Sequence, residues 1–133
     1  MILQKLEKYA AACGARNGSQ GLWVEDAAGG SVLIQQAKAK GWQVRAIPAK
    51  LMMKGKDERA MLAGGPAFRR ECKVSKFAFD KVVEWKGRSM NHLMRQVTSF
   101  RMADPDAYKR ADDLMDCATY SIALVLADAT AIA

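Results

Sequence analysis

Two short apolar segments decide the fold: "GLWVED" at residues 21–26 and "WQVRAI" at residues 42–47. Each has the composition of a strand, and Pro48 ends the second one. Between them, Gly29-Gly30 interrupts the chain, and Ser31 is placed to cap an amphipathic helix over residues 31–40 that Gly41 ends. This order predicts a strand–helix–strand unit, with a right-handed crossover if the two strands are parallel.

The rest of the chain adds mainly helices around this unit. Apolar spacing predicts helices over residues 1–13, 57–63, from Ser89 to about residue 100, and 106–127, with a β-segment at residues 73–79. With 133 residues, half of them apolar, the chain is long enough to bury a core as a single domain spanning residues 1–133. We therefore predict an α/β protein. The longest apolar run, after Cys117, is too short to span a bilayer, and we expect a soluble protein with no membrane association.

The charge is unevenly distributed along the chain. The formal net charge is +7, yet residues 40–110 hold seventeen Lys/Arg against seven Asp/Glu, a net charge of +10. Such a cationic central region favours a polyanionic partner such as nucleic acid. The three cysteines are far apart and His92 is the single histidine, which excludes a zinc site of ordinary Cys/His spacing.

Acidic side chains stand at two separate places outside this region. Asp26 follows the first predicted strand, and ligands of open α/β sheets gather beyond the C-terminal ends of strands. Asp112, Asp113 and Asp116 open the last predicted helix at i,i+3 and i,i+4 spacing, so they share one face. Their mutual repulsion requires a cation or nearby Lys/Arg, which indicates either a divalent metal site or an ordinary ion-paired surface.

Four segments in this order resemble the C-terminal nuclease domain of phage terminase large subunits: "GLWVEDAAGGSVLIQQAKAKGWQVRAIPAK", "KGKDERA", "QVTSF" and "ADDLMDCATYSIAL". These proteins are the DNA-packaging motors of tailed phages. The resemblance covers nearly the whole chain. It implies a partial ribonuclease-H-like fold, a central mixed sheet with flanking helices, and a metal-dependent endonuclease that cuts concatemeric viral DNA.

The resemblance also implies roles for particular residues. Asp26 corresponds to a metal-binding acid at the tip of a central strand, and Asp112, Asp113 and Asp116 fall on the terminal acidic motif. The implied cofactors are two Mg²⁺ or Mn²⁺ ions, with Asp26, Asp113 and Asp116 as the catalytic acids. The basic segment contributes Lys54, Lys56 and Arg59, which we expect to contact the backbone of double-stranded DNA.

The chain departs from the family pattern in two ways. The family's first catalytic aspartate lies on a strand upstream of the matched region, and no G-x-x-x-x-G-K-[ST] phosphate-binding loop of the ATPase domain occurs. A sheet that lacks its first strands exposes an edge. We therefore expect an upstream terminase polypeptide as partner or self-association as a homo-oligomer, with the small terminase subunit and the portal as further partners. The expected location is the cytoplasm of the phage's host cell.

The sequence leaves several functions open. The chain is either an active nuclease or a catalytically incomplete DNA-binding or assembly fragment. The same residues are also compatible with another ribonuclease-H-like nuclease, such as a junction resolvase or a transposase fragment, and with an unrelated basic α/β protein. The tryptophans either stack on bases or belong to the core. A group of cations in the middle of the chain forms either a phosphate-binding track or a solvated face: Lys73, Lys76, Lys81, Lys86 and Arg88.

Overall fold

A computed structural model describes residues 2–12, 22–27 and 29–127. The protein is a mixed α/β protein, as the sequence predicts. The chain divides into two compact units, Met1–Met53 and Lys54–Ala133. The grouping of both units into one domain stays a prediction. Among the described residues, no helix has the length and apolar character needed to cross a bilayer.

The first unit contains the predicted strand–helix–strand arrangement. Its elements in chain order are α1 (Ile2–Ala12), β1 (Leu22–Val24), α2 (Gly30–Ala39), β2 (Val44–Ala46) and α3 (Ala49–Met53). β1 and β2 are parallel, and Trp23 lies opposite Arg45 in their register. The prediction of two strands joined by a helix is thereby confirmed. Gly41, with φ of +78°, ends α2 in the left-handed conformation that glycine adopts readily.

Small and branched apolar side chains hold this unit together. Leu3 of α1, Ala37 of α2 and Val44 of β2 are buried against one another. Around them pack half-buried apolar side chains, namely Leu6, Leu22, Val24, Leu33, Ile34 and Trp42. Burial of such side chains is the main stabilising contribution available to a unit of this size. The amphipathic stripe predicted for α2 from Val32, Leu33 and Gln36 is therefore correct only at Leu33: Val32 and Gln36 are exposed, and Ile34 and Ala37 complete the packed face.

The second unit is mostly helical. It comprises α4 (Lys56–Phe68), α5 (Lys76–Asp80), β3 (Val83–Trp85), β4 (Arg88–Met90), α6 (His92–Ser99), a 3-10 turn (Ala107–Lys109) and α7 (Asp113–Leu126). α7 packs against both α4 and α6. The buried side chains of this contact include Ala63 and Pro66 of α4, and Tyr120 and Ala123 of α7.

In the first unit α2 begins at Gly30 with Gly29 as its N-cap, so the prediction that Ser31 caps this helix is wrong. The structure also corrects four local predictions in the second unit. The helix that begins near residue 57 does not end at Ala63 but continues as α4 through Gly64-Gly65-Pro66, because Ala63 and Pro66 lie in its buried face. The segment predicted as β at residues 73–79 contains α5 instead, whose first turn is capped by Ser75. Ser89 lies in β4, and the cap of α6 is Asn91.

The fourth correction concerns the last helix, which begins at Asp113 rather than near residue 106, after a separate 3-10 turn. The described strands also differ from the single central mixed sheet that the sequence predicts. They form two separate pairs, β1 with β2 in parallel and β3 with β4 in antiparallel orientation.

Candidate metal centre

Three aspartates converge at the beginning of α7. Carboxylate oxygens of Asp112, Asp113 and Asp116 all lie within 4.8 Å of one another, and we call these residues the acidic cluster. Asp112 is the N-cap residue, and Asp113 and Asp116 lie in the first turn. The helix dipole stabilises negative charge at this end of a helix, which partly offsets the repulsion among the three carboxylates. The shared face predicted from their spacing is confirmed.

Gln96 of α6 caps this end of α7 in place of Asp112. The side chain of Asp112 makes no capping hydrogen bond, whereas Oε1 of Gln96 accepts hydrogen bonds from the backbone N–H groups of Leu114 at 2.8 Å and Met115 at 3.1 Å. Two N–H groups that the helix itself leaves without partners are thereby satisfied. The carboxylate of Asp112 remains available for other contacts. No pattern in the sequence identifies Gln96, because its contact spans two helices.

Two cations of α4 neutralise part of the acidic cluster. Nη2 of Arg59 donates to Asp116 at 3.0 Å, and Nζ of Lys56 pairs with Asp112 and lies 3.6 Å from Asp116. Burial opposes the charge on Lys56, but the hydrogen bond to Asp112 and the attraction of Asp116 and Asp112 outweigh it and raise the pKa of Lys56. The carboxylate of Asp113 is exposed and has no ion pair within the described residues.

Arg59 is the most deeply buried charged group of this region. Only 6% of its surface is exposed, its Nη1 donates to the backbone carbonyl of Lys54 at 2.5 Å, and its guanidinium lies 4.7 Å from the centre of the Tyr120 ring. The positions 59, 63 and 66 have the i, i+4, i+7 spacing of a buried helical stripe, a signal that the sequence does contain. Its side chain therefore faces α7.

The three basic residues predicted to contact DNA thus differ in their surroundings. Lys54 is half-buried and lies 3.8 Å from Glu58, one turn along the chain. Lys56 is partly exposed beside Asp112. Arg59 is buried beside Asp116. Their predicted contacts with DNA stay a prediction, and the structure adds that two of the three are placed to neutralise the acidic cluster.

Asp26 belongs to the first unit, immediately beyond the C-terminal end of β1. Its Oδ1 accepts a hydrogen bond from Oγ of Ser31 at 2.5 Å. Gly30 begins α2 directly beside this turn, and a Cβ atom there would overlap the backbone carbonyl oxygen of Glu25. The turn from strand to helix therefore requires glycine at position 30. The placement of Asp26 at a strand end, predicted from the sequence, is confirmed.

A cleft of about 350 Å³ opens beside the acidic cluster within the second unit. It lies between the N-terminal end of α4 and the C-terminal end of α6, and both Lys56 and Asp112 line it. Further lining residues carry charge or large apolar surface, namely Asp57, Phe100, Arg101, Asp104, Arg110 and Met115. Asp112 is therefore the member of the acidic cluster that lines this cleft, which has the size that holds small ligands.

The donor set of the acidic cluster fits a hard divalent cation. Carboxylate oxygens are the ligands that Mg²⁺ and Mn²⁺ prefer, and three of them within 4.8 Å are close enough to share one ion. Lys56 and Arg59 already compensate part of their charge, so a bound ion would compete with Lys56 for Asp112. No protein-family model matches this chain, and neither a curated protein nor a solved structure matches it.

Proposed function

We propose that this chain is the C-terminal part of a terminase-like nuclease module, of partial ribonuclease-H-like fold, that cleaves double-stranded DNA with the help of Mg²⁺ or Mn²⁺. The observation that carries this proposal is the convergence of Asp112, Asp113 and Asp116 at the rigidly capped start of α7. A metal centre needs carboxylates held in fixed positions, and a capped helix end provides them.

In this proposal Asp113 and Asp116 hold one divalent ion, Asp112 stands beside them, and Asp26 contributes to a second ion. Two such ions supply an activated water and stabilise the leaving oxygen of the phosphodiester. The chain's own residues then have separate tasks. The aspartates provide oxygen ligands, and Gln96 caps the first turn of α7. Lys56 neutralises part of the negative charge of the aspartates when no ion is bound.

The charge of the chain supports a polyanionic substrate. A net charge of +7, concentrated in residues 40–110, favours a polyanion that is bound through its phosphates with little dependence on sequence. We propose concatemeric viral DNA in the cytoplasm of the phage's host cell as the substrate. An upstream terminase polypeptide, the small subunit, the portal or a second copy of the chain would be the protein partners.

The test is relaxation of supercoiled plasmid DNA by the purified chain with Mn²⁺ or Mg²⁺. We expect nicking that EDTA abolishes and that Asp113→Asn, Asp116→Asn and Asp26→Asn each reduce by at least about 100-fold, with DNA binding retained. Asp80→Asn is the matched control, because Asp80 is an exposed acid whose partner is Lys76. Cleavage that persists at the wild-type rate in Asp113→Asn would contradict the assignment.

One observation favours a DNA-binding or assembly fragment without catalysis. Asp112 and Asp116 are already paired with Lys56 and Arg59, and such pairs stabilise a helix contact without any metal. A fragment of this kind is expected to bind DNA, with or without its partner polypeptide, but never to nick it in Mn²⁺ or Mg²⁺. A junction resolvase would instead cleave branched DNA in preference to linear duplex.

A further inference from the structure

The strands β3 and β4 form a hairpin whose turn is unusual in its sequence. They are antiparallel with Trp85 opposite Arg88, so only Lys86 and Gly87 make the connection. Both residues have positive φ, 49° and 74°, as the two-residue type I′ turn requires. Asn or Gly is the usual first residue of this turn, whereas here a lysine takes the left-handed conformation. The turn thus carries a cation at the tip of the hairpin.

The hairpin is exposed along most of its length. All residues from Val83 to Ser89 are exposed, and the ring of Trp85 is 42% exposed. The two strands belong to a separate two-stranded sheet, and such a ribbon is marginally stable by itself. A large aromatic side chain at such a place does not belong to a core. It supplies contact area of the kind that binding surfaces use.

Contacts with α6 nevertheless hold the hairpin in a defined position. Nε2 of His92 lies 2.9 Å from the carbonyl oxygen of Val83 and 3.1 Å from that of Arg88, so one ring nitrogen contacts both strands. Because both partners are carbonyl oxygens, this nitrogen carries the proton and donates. The His92 ring also packs edge-on against Trp85, with ring centres 5.5 Å apart. The exposed ring is therefore held in place before any ligand binds.

The charge near the tip is positive and largely uncompensated. Nζ of Lys86 lies 4.6 Å from the centre of the Trp85 ring, and the side chain of Arg88 makes no ion pair or hydrogen bond to any described residue. Residues 73–95 hold six Lys/Arg against two Asp/Glu, and one of those acids, Asp80, is paired with Lys76. Because successive side chains of a strand point to opposite faces, Glu84 lies on the opposite face from Trp85. The tip therefore presents one aromatic ring and two cations.

We propose that the tip of this hairpin, Trp85-Lys86-Gly87-Arg88, is a DNA-binding element that enters the major groove of duplex DNA. The major groove of B-DNA admits a two-stranded β-ribbon, and cations on either side of the turn are suited to the phosphates that border the groove. Trp85 adds apolar contact to the sugars and base edges. The proposal rests on the proposed function only in taking DNA as the polyanion, and it needs neither the metal nor cleavage.

The test measures binding of the full chain to a fluorescent DNA duplex in EDTA, where no metal-dependent cleavage occurs. The double variant Lys86→Gln/Arg88→Gln is expected to bind about tenfold more weakly at low salt. Its slope of log affinity against log salt is expected to fall by about 1.8, because each lost phosphate contact removes about 0.9. Trp85→Ala is expected to weaken binding and leave this slope unchanged.

A charge-matched control separates the hairpin from general electrostatics. Lys38→Gln/Lys40→Gln removes the same charge from exposed positions at the end of α2, and we expect its affinity to stay within about twofold of the wild type. Circular dichroism of each variant shows whether it folds. Equal losses in the two double variants, or no loss in the hairpin variant, would overturn the proposal. Hairpin-dependent binding without nicking in Mn²⁺, both alone and with the partner polypeptide, would support it while refuting the nuclease.

Discussion

The buried guanidinium of Arg59 donates to the carboxylate of Asp116 at 3.0 Å, and this pair joins α4 to the acid-bearing end of α7. The two residues are 57 positions apart in sequence. Nε of Arg59 is buried without a hydrogen-bond partner among the described atoms, so the pair compensates its desolvation incompletely. Removal of one partner of this ion pair is therefore expected to lower the free energy of unfolding.

Arg59→Ala is expected to lower the free energy of unfolding by about 2–3 kcal/mol, since it leaves Asp116 with only Lys56, at 3.6 Å, and removes the packing on Tyr120. This loss of unfolding free energy is smaller than the loss expected for a fully buried ion pair, because 26% of the Asp116 side chain is exposed. Urea denaturation measures it. Lys54→Gln is the control, whose exposed pair with Glu58 contributes less than about 0.5 kcal/mol. Similar losses in both variants would show that Arg59 has no special role.

Gln96→Ala is expected to destabilise the second unit by about 1 kcal/mol, because two backbone N–H groups of α7 lose their acceptor. The measurement is again urea denaturation. Thr98→Ala serves as control, since Oγ1 of Thr98 donates to the carbonyl oxygens of Met94 and Arg95, both within its own helix. If the acidic cluster binds Mn²⁺, Gln96→Ala also weakens that binding. An unchanged stability would mean that water replaces the cap without loss.

Lys56→Gln is expected to tighten Mn²⁺ binding to the acidic cluster about fivefold. The variant removes the cation that competes for Asp112, and one neighbouring charge at this exposure is equivalent to about 1 kcal/mol. Isothermal titration calorimetry measures the dissociation constant, and Lys76→Gln, whose ammonium pairs with Asp80, is the control. Weaker Mn²⁺ binding in Lys56→Gln would show that the lysine positions Asp112 rather than competing for it.

Gly30→Ala is expected to destabilise the first unit by about 1–3 kcal/mol, since its Cβ overlaps the carbonyl oxygen of Glu25 and forces the turn before α2 to shift. The shift also disturbs the Ser31–Asp26 hydrogen bond. Gly64→Ala, an exposed position within α4 with open space around it, is expected to stabilise by about 0.5–1 kcal/mol. Thermal denaturation followed by circular dichroism measures the melting temperatures of both variants. A higher melting temperature in Gly30→Ala would contradict the predicted clash with Glu25.

Glu71 provides a test of surface electrostatics. Its hydrogen bonds from Arg69 lower the pKa of the Glu71 carboxyl, so the pair adds stability above the unfolded-state pKa, and that stability is lost as pH falls through the lowered value. In Arg69→Gln we expect the pKa of Glu71 to rise to its ordinary range, as measured by NMR titration. The effect on stability is small because both side chains are exposed. A pKa that does not move would show that the pair does not persist in solution.

The sequence predicted the first unit better than the second for a physical reason. Strand, helix and strand over residues 22–46 are specified by local signals, namely apolar segments bounded by Gly29-Gly30, Gly41 and Pro48. In the second unit such local signals mislead. Phe77 and Phe79 alternate as in a strand, yet the Ser75 cap and the Lys76–Asp80 pair stabilise one turn of helix.

In the candidate site, too, local spacing predicts one part of the arrangement, and contacts between helices determine the rest. The shared face of Asp112, Asp113 and Asp116 follows from helical spacing alone, which the sequence displays. The partners of these acids do not follow from spacing, because Lys56 and Arg59 reach them from α4, and the cap of α7, Gln96, comes from α6. The helix that begins near residue 57 is predicted to end before Gly64-Gly65-Pro66, and the burial of Ala63 and Pro66 explains why α4 continues.

His92 and Gln96 are four residues apart on α6, hence on the same side and one turn, about 6 Å, from each other along its axis. His92 donates from its ring nitrogen to both strands of the hairpin, and Gln96 caps the first turn of α7. The short helix α6 thus contacts both the hairpin that carries Trp85 and the helix end that carries the aspartates. A displacement of α6 would therefore disturb the contacts of His92 with the hairpin and those of Gln96 with α7 at the same time.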